Sequence, residues 1–172
     1  MDVLRSHREW NQVELDVNRT LARFPPNINE EEREVLQQDL TPLIVRVLCD
    51  NPMYNYYQGT LDDLECNEAA SILGFHDVCL TALLVLNVEK AYKALRILSK
   101  RGSFYNYLTS SLEESALTEL QHIYVLLYLH DPDLESHLRS AELGTLFAIS
   151  WPITWFSHSI QEYSQVIVYA EQ

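Results

Sequence analysis

An aspartate and an arginine lie one helical turn apart near the start of the chain, at Asp16 and Arg19. An arginine held by a carboxylate suits the recognition of phosphate oxygens, because its planar fork of donors matches their geometry. Apolar residues around the pair recur at helical spacing, which predicts that one helix carries both residues. Since each residue turns a helix by about 100°, Arg19 should lie nearly opposite the apolar stripe and face solvent. The alternative is an ordinary surface ion pair, which the spacing alone favours.

A second candidate is the aromatic and polar sequence Tyr56-Tyr57-Gln58-Gly59. The amide of Gln58 can orient an attacking water, because it both donates and accepts hydrogen bonds. Gly59 beside it would permit the close approach of a partner's backbone. The alternative is a loop at the start of a helix with two core tyrosines, and this alternative is favoured when the sequence is considered by itself.

Together, the two candidates resemble the signature motifs of the TBC family of Rab GTPase-activating proteins. The motifs are Val13-x-x-Asp16-x-x-Arg19 and Tyr56-x-Gln58-Gly59. The resemblance covers most of the chain and is closest to the branch of the family that is anchored at the endoplasmic reticulum. The sequences that carry this closer resemblance are Trp10 to Phe24, Arg33 to Gln38, Asn51-Pro52 before the second motif, Ser140 to Trp151 and Ile153 to Phe156.

The resemblance implies an all-helical domain that binds a Rab-type small GTPase loaded with GTP and magnesium. It implies that Arg19 stabilises the charge developing on the transferred phosphoryl group, and that Gln58 positions the attacking water. Asp16, Tyr56 and Gly59 correspond to supporting positions. The chain would be an activator without a cofactor of its own, not an enzyme. The family branch further implies vesicle transport between endoplasmic reticulum and Golgi, in the cytoplasm or on the cytosolic face of those membranes.

The composition independently predicts an all-α domain. The chain has 172 residues, of which 47% are hydrophobic and only 4 are Gly and 6 are Pro, which fits one helical domain with a buried core. The net charge of -13 would repel nucleic acid and anionic lipid and would favour a partner with a basic surface. The alternative is that this charge only keeps the protein soluble. The three cysteines have no disulfide or zinc spacing, which indicates a reducing compartment. The longest apolar runs are too short to span a bilayer.

The helices predicted from apolar spacing are separated by proline, glycine and asparagine. Asn27 or Asn29 should cap the second helix, and Pro42 should kink it or restart it with Thr41 as the N-cap. The predicted helices run from about Ser6 to Phe24, from Glu30 to Leu48, from Thr60 to Gly74, from Asp77 to Arg101, from Phe104 to Leu108, from Ser111 to Leu129, from Asp133 to Ser140 and from Leu143 to Val168 with a kink or restart at Pro152.

Other groups of polar and aromatic residues favour structural roles. His76-Asp77 and His130-Asp131 each join a base to a carboxylate, but no spacing typical of a metal site is present. The acidic cluster Asp62, Asp63 and Glu65 is typical of the negative start of a helix. No P-loop or nucleophile elbow occurs, so the sequence does not indicate intrinsic nucleotide hydrolysis. The aromatic residues Trp151, Trp155 and Phe156 should pack in the core, with a groove for a partner helix as the alternative.

Three features depart from the family pattern. The segment from Thr60 to Gly74 separates the second motif from the apolar helix that begins near Phe75. In family members this helix follows the motif almost directly. Because Gln58 must be placed within about 0.5 Å of its productive position, we expect this insert to impair activity. The alternative function is a non-catalytic helical binding module. A third possibility is a poorly folded fragment without a function of its own. We expect residues 1–172 to form a partial domain, truncated at both ends, since the family's earlier Arg-x-x-x-Trp motif and later helices are not found. Pro42 is the third departure.

Overall fold

The computed structural model describes residues 2–51, 74–110, 113–157, 159–160 and 165. Throughout these residues every regular element is a helix, so the predicted all-α fold is confirmed. The elements are α1 (Asp2–Arg5), α2 (Trp10–Leu21), α3 (Glu30–Cys49), α4 (Phe75–Val85), α5 (Val88–Leu98), α6 (Gly102–Thr109), a π-helical turn (Glu113–Leu117), α7 (Thr118–Leu120), α8 (His122–His130), α9 (Pro132–Ser140), a 3₁₀ turn (Leu146–Ala148) and α10 (Ser150–Ile153).

The core lies where α2, α3, α4 and α5 meet. α2 packs along α3 and against α4, and α5 packs on both α3 and α4. Val17 of α2, Ile44 of α3, Leu80 of α4 and Leu95 of α5 are all completely buried. Burying a side chain of this size stabilises the fold by about 1.5–3 kcal/mol. The core therefore anchors α2, the helix that carries the arginine motif.

α2 follows the predicted apolar stripe. Val13, Val17 and Leu21 are buried, while Trp10 and Phe24 are partly buried against the same core. The helix itself spans Trp10–Leu21, which is shorter than predicted. Side-chain packing thus extends beyond the helical backbone at its C-terminal end, where Phe24 lies.

α3 is capped by Asn29, one of the two asparagines predicted as its cap, and this cap is a capping box. The side chain of Asn29 accepts a hydrogen bond from the amide of Glu32 at 2.8 Å, and the carboxylate of Glu32 accepts one from the amide of Asn29 at 2.9 Å. Such caps stabilise a helix by about 1 kcal/mol. Asn29, and not Asn27, is therefore the residue that sets the start of α3.

Of the two alternatives predicted at Pro42, a kink or a restart, the restart is wrong, because α3 is one helix from Glu30 to Cys49. Thr41 is buried inside the helix and caps nothing. Proline removes one backbone donor, but Leu40 and Ile44 are buried on either side of it. Tertiary packing of the apolar face holds the helix together across this position.

The prediction of one helix from Asp77 to Arg101 is also wrong. α4 ends at Val85, and Leu86 and Asn87 are extended before α5 begins. The side-chain oxygen of Asn87 accepts a hydrogen bond from the amide of Lys90 at 3.0 Å. This cap satisfies a donor at the start of α5 and makes a new helix more favourable than a continuous one.

In the second half of the chain, the predicted stop at Asp131-Pro132 is confirmed and two helix predictions are corrected. The side chain of Asp131 accepts a hydrogen bond from the amide of Leu134 at 3.1 Å, and Pro132 opens α9. The helix predicted from Ser111 to Leu129 is divided into the π-helical turn, α7 and α8. The long helix predicted after Leu143 is replaced, up to residue 157, by the 3₁₀ turn and α10.

The chain leaves α10 through a left-handed backbone. Trp155 and Phe156 have φ values of 49° and 62°, a conformation that interrupts a right-handed helix. The predicted core role of the aromatic cluster is only partly right, because Trp151, Trp155 and Phe156 are half-buried. Trp155 packs against the main core, whereas Trp151 stacks on Phe156 with ring centroids 6.0 Å apart.

Gly74, the residue before α4, is packed directly against the backbone at α10. Its φ is +76°, and a Cβ built there would lie 2.5 Å from the carbonyl oxygen of Ile153. We expect Gly74→Ala to lower the free energy of unfolding by about 2–4 kcal/mol, because left-handed strain adds to a backbone clash. Denaturant unfolding followed by circular dichroism measures this loss.

Gly144 provides the matched control for that substitution, because a Cβ built there meets nothing within 4 Å. Gly144→Ala should change the free energy of unfolding by no more than about 0.5 kcal/mol. Equal effects of the two alanines would contradict the packing described for Gly74.

Among the helices of the described residues, none is both long and apolar enough to cross a membrane. Residues 60–73 of the helix predicted from Thr60 to Gly74 lie outside the described residues. The end of the last predicted helix, at Val166, Ile167 and Val168, also lies outside them.

Candidate functional site

Arg19 lies in the last turn of α2 and points away from the core. Its side chain is 60% exposed, as its position opposite the apolar stripe predicts. A guanidinium has five N–H donors, and Nη1 makes a 3.1 Å hydrogen bond to Oδ1 of Asp16. Much of the group therefore remains open to an oxygen-rich ligand on another molecule.

Asp16 is the fixed member of the pair. Its side chain is only 4% exposed, so the pair differs from an ordinary surface ion pair in that its carboxylate is not solvated. The other carboxylate oxygen, Oδ2, accepts a hydrogen bond from Nε2 of Gln12 at 3.3 Å. A buried carboxylate costs free energy unless it is paired. The pair therefore joins an immobile acceptor to a partly exposed cation, and this arrangement restricts the directions in which Arg19 can point.

Gln12 was not identified by sequence reasoning, although its spacing contains the signal. It lies four residues before Asp16, so it is on the same face of α2. Its amide occupies the carboxylate oxygen that Arg19 does not use. Gln12 and Arg19 therefore bind different oxygens of the same carboxylate.

α4 contributes a second buried carboxylate to the same region of α2. Oγ1 of Thr20 donates a hydrogen bond to Oδ1 of Asp77 at 3.3 Å, and both side chains are buried. Oδ2 of Asp77 lies 3.3 Å from Nε2 of His76. His76-Asp77 was identified from the sequence as a base beside a carboxylate. The contact of Asp77 with Thr20 was not predicted, because it depends on how α2 and α4 pack against each other.

Residues of the second motif lie outside the described residues. These residues are Tyr56, Gln58 and Gly59. Their predicted roles in water positioning and in support of the site therefore stay predictions. The same holds for the segment from Thr60 to residue 73 and for the acidic cluster Asp62, Asp63 and Glu65.

Metal and thiol chemistry receive no support from the part of the chain that the structure describes. There, no group of His, Cys, Asp or Glu side chains could hold a metal ion. Cys49 and Cys79 are free thiols. Burial raises the pKa of the Cys79 thiol well above its usual value, which keeps this thiol protonated and unreactive.

Comparisons with known proteins found one matching family model and several similar proteins. A family model described as the Rab-GTPase-TBC domain matches residues 2–169. TBC1 domain family member 20 from Bos taurus is 34% identical over 160 residues, and the protein of the same name from Homo sapiens is 33% identical over 160 residues. Both alignments cover 93% of this chain. GTPase-activating protein gyp10 from Schizosaccharomyces pombe is 28% identical over 164 residues, or 94% of this chain.

The relatives are considerably longer proteins. This chain spans 36% of the length of the two mammalian relatives and 38% of the yeast relative. The similarity therefore concerns one region of each relative.

Proposed function

Because this chain belongs to the Rab-GTPase-TBC domain family, we propose that it accelerates GTP hydrolysis by a Rab-type small GTPase. The observation that carries the proposal is the exposed guanidinium of Arg19, held by the buried carboxylate of Asp16. The name of the yeast relative, a GTPase-activating protein, supports the same activity.

Arg19 would act by electrostatic stabilisation in trans. During phosphoryl transfer, negative charge is spread over the oxygens of the γ-phosphoryl group, and a planar cation with several donors can neutralise it. An arginine supplied in this way accelerates GTP hydrolysis by about 10³ to 10⁵, or roughly 4–7 kcal/mol of transition-state stabilisation. The magnesium ion and GTP belong to the partner, and the activator needs no cofactor of its own.

Gln58 would complete the site by orienting the attacking water. Its amide has the donor and acceptor that this task requires. Tyr56 and Gly59 would support that residue, as the family resemblance implies. In this proposal the chain lends two side chains to a reaction whose substrate is bound by its partner. Action between endoplasmic reticulum and Golgi, on the cytosolic face of their membranes, belongs to the same proposal.

A single-turnover assay tests the function directly. A panel of Rab-type GTPases is loaded with GTP and magnesium, and phosphate release is followed with and without the purified chain. We expect at least one member to be accelerated by about 10³-fold or more. Binding without acceleration across the panel would instead identify a non-catalytic module.

The insert after the second motif favours that second candidate function, a binding module with impaired catalysis. It begins at Thr60, two residues beyond Gln58. Misplacing a catalytic group by about 1 Å can lower a rate about 10²-fold. If the insert displaces Gln58, deletion of residues 60–73 should raise the stimulated rate about tenfold or more.

The design of that deletion follows from the structure. Gly74 must be retained, because its left-handed backbone leads into α4. A control chain carries a Gly/Ser linker of equal length in place of residues 60–73, which separates the effect of length from that of sequence. An unchanged or lower rate after the deletion would show that the insert does not impair the site.

A further inference from the structure

Thr20 and Asp77 join the arginine-bearing helix to α4 by one directional contact inside the core. Oγ1 of Thr20 donates to Oδ1 of Asp77 at 3.3 Å. Thr20 is 7% exposed and Asp77 is 3% exposed. The apolar stripe of α2 resists separation from the core, but aliphatic contacts have little directional preference. A hydrogen bond at the edge of the stripe adds the angular constraint that aliphatic contacts lack.

The position of Thr20 makes this constraint relevant to Arg19. The two residues are adjacent, so their side chains leave α2 about 100° apart. A rotation of the helix by only 10° would move a group about 6 Å from its axis by roughly 1 Å. A displacement of that size can cost about 10²-fold in a catalysed rate. Asp16 cannot prevent such a rotation by itself, because it lies on the same helix as Arg19 and turns with it.

Asp77, in contrast, lies on a different helix. α4 is anchored in the core by Phe75, Val78 and Leu80, which are buried almost completely. The carboxylate is also approached by Nε2 of His76 at 3.3 Å. Asp77 is therefore a fixed reference point against which α2 is oriented.

We propose that Asp77 is a positioning residue: through Thr20 it fixes the rotation of α2, and thereby the direction in which Arg19 is presented to the GTPase. This inference rests on the proposed function for its catalytic consequence. Its structural consequence, a change in the orientation of α2, can be measured without a partner. The two parts can therefore fail separately.

The first experiment measures helix orientation in the chain alone. Spin labels are attached to cysteines introduced at the exposed positions Asn18 of α2 and Lys93 of α5. Cys49 and Cys66 are replaced by serine so that they are not labelled, and Cys79 is retained because it is buried. Thr20→Val removes the donor while retaining the shape of the side chain. We expect the label distance to shift or broaden by about 1–2 Å in Thr20→Val. An unchanged distance distribution would overturn the inference, whatever the outcome of the GTPase assays.

Thr81→Val is the matched control. Thr81 is a completely buried threonine of α4, and its hydroxyl donates to the backbone carbonyl of Asp77 at 3.0 Å, within its own helix. Its loss removes a buried hydroxyl without releasing α2. We expect the label distance to stay as in the parent chain, and an equal shift in Thr81→Val would contradict a specific role for Thr20.

The second experiment separates positioning from stability and from binding. Affinity is measured for a responsive Rab-type GTPase bound to GDP and aluminium fluoride, which mimics the transition state, and for the same GTPase bound to a non-hydrolysable GTP analogue. Thr20→Val should weaken binding to the first about tenfold and lower kcat equally, with binding to the second within about twofold. Equal weakening in both states would indicate a structural role and overturn the inference.

Two further variants keep the test decisive if Thr20→Val folds poorly. Thr20→Ser keeps the hydroxyl and should retain the parent affinities. Asp77→Ala removes the acceptor instead of the donor and should reproduce the selective loss for the transition-state complex. A selective loss in Thr20→Ser, or its absence in folded Asp77→Ala, would contradict the proposed link. Acceleration of no GTPase by the parent chain would refute the proposed function and leave the orientation measurement to decide the structural claim.

Discussion

Replacing Arg19 by alanine should reduce the stimulated rate of GTP hydrolysis about 10³- to 10⁵-fold, to the level of the GTPase alone. The side chain is 60% exposed and takes no part in the apolar core, so its removal should leave the fold intact. It should lower the free energy of unfolding, because the buried carboxylate of Asp16 loses its cationic partner. The variant should also bind the GTP-loaded partner nearly as well as the parent, because the interaction is strongest in the transition state. Single-turnover phosphate release measures the rate, circular dichroism measures the fold, and titration with the GTP-loaded partner measures the affinity.

Two variants make that result specific. Arg19→Lys retains a positive charge but loses the planar fork, and it should recover only a small part of the lost rate. Arg23→Ala removes an exposed arginine just beyond the end of α2 and changes the net charge by the same amount. It should stay within about twofold of the parent. A comparable loss in Arg23→Ala would mean that overall charge, and not the position of one guanidinium, governs the activity.

The sequence was most informative where local chemistry determines structure. α2 could be predicted because Val13, Val17 and Leu21 share one face, and the outward direction of Arg19 followed from the same geometry. The start of α3 could be predicted because Asn29 and Glu32 form a cap within four residues. These features depend only on neighbours in the chain.

The errors occurred where the outcome depends on tertiary contacts or on competition between two local choices. α3 continues past Pro42 because buried side chains hold it on both sides. The break before α5 arises because Asn87 caps a new helix within a run that is otherwise favourable for helix. Neither balance can be read from periodicity alone.

In the candidate site, too, features set by neighbours in the chain could be predicted, and features set by tertiary contacts could not. Asp16 lies about 100° around α2 from Val17, at the edge of the apolar stripe, so its burial depends on what packs beside that edge. Thr20 lies closer to the stripe, and its contact with Asp77 requires the packing of α4. The sequence could therefore predict which residues carry the chemistry, but not which of them are fixed by burial.

That burial gives Asp16 a large expected effect of its own. Asp16→Ala leaves Arg19 in place but removes the carboxylate that confines it, so we expect the stimulated rate to fall about 10²-fold. The free energy of unfolding should change by no more than about 1 kcal/mol, because the partners left behind, Arg19 and Gln12, are exposed or half-buried and can bind water. Hydrolysis assays and denaturant unfolding, performed on the same preparations, separate the two quantities.

An asparagine at the same position tests whether charge or geometry restrains the guanidinium. The amide oxygen of Asp16→Asn can still accept a hydrogen bond, but charge-assisted hydrogen bonds are roughly twice as strong as neutral ones. We therefore expect an intermediate loss of about tenfold in the stimulated rate. A rate as low as that of Asp16→Ala would show that the charge alone holds Arg19.

Glu30 provides the control for ion pairing as such. Its carboxylate pairs with Nη1 of Arg33 at 2.5 Å with the same sequence separation, but it is 71% exposed. Exposed pairs contribute about 0–1 kcal/mol, so Glu30→Ala should leave the stimulated rate within about twofold of the parent. Parent-like hydrolysis by Asp16→Ala would mean that the direction of Arg19 is imposed by the bound GTPase. In that case the buried carboxylate of Asp16 would not preorganise the site.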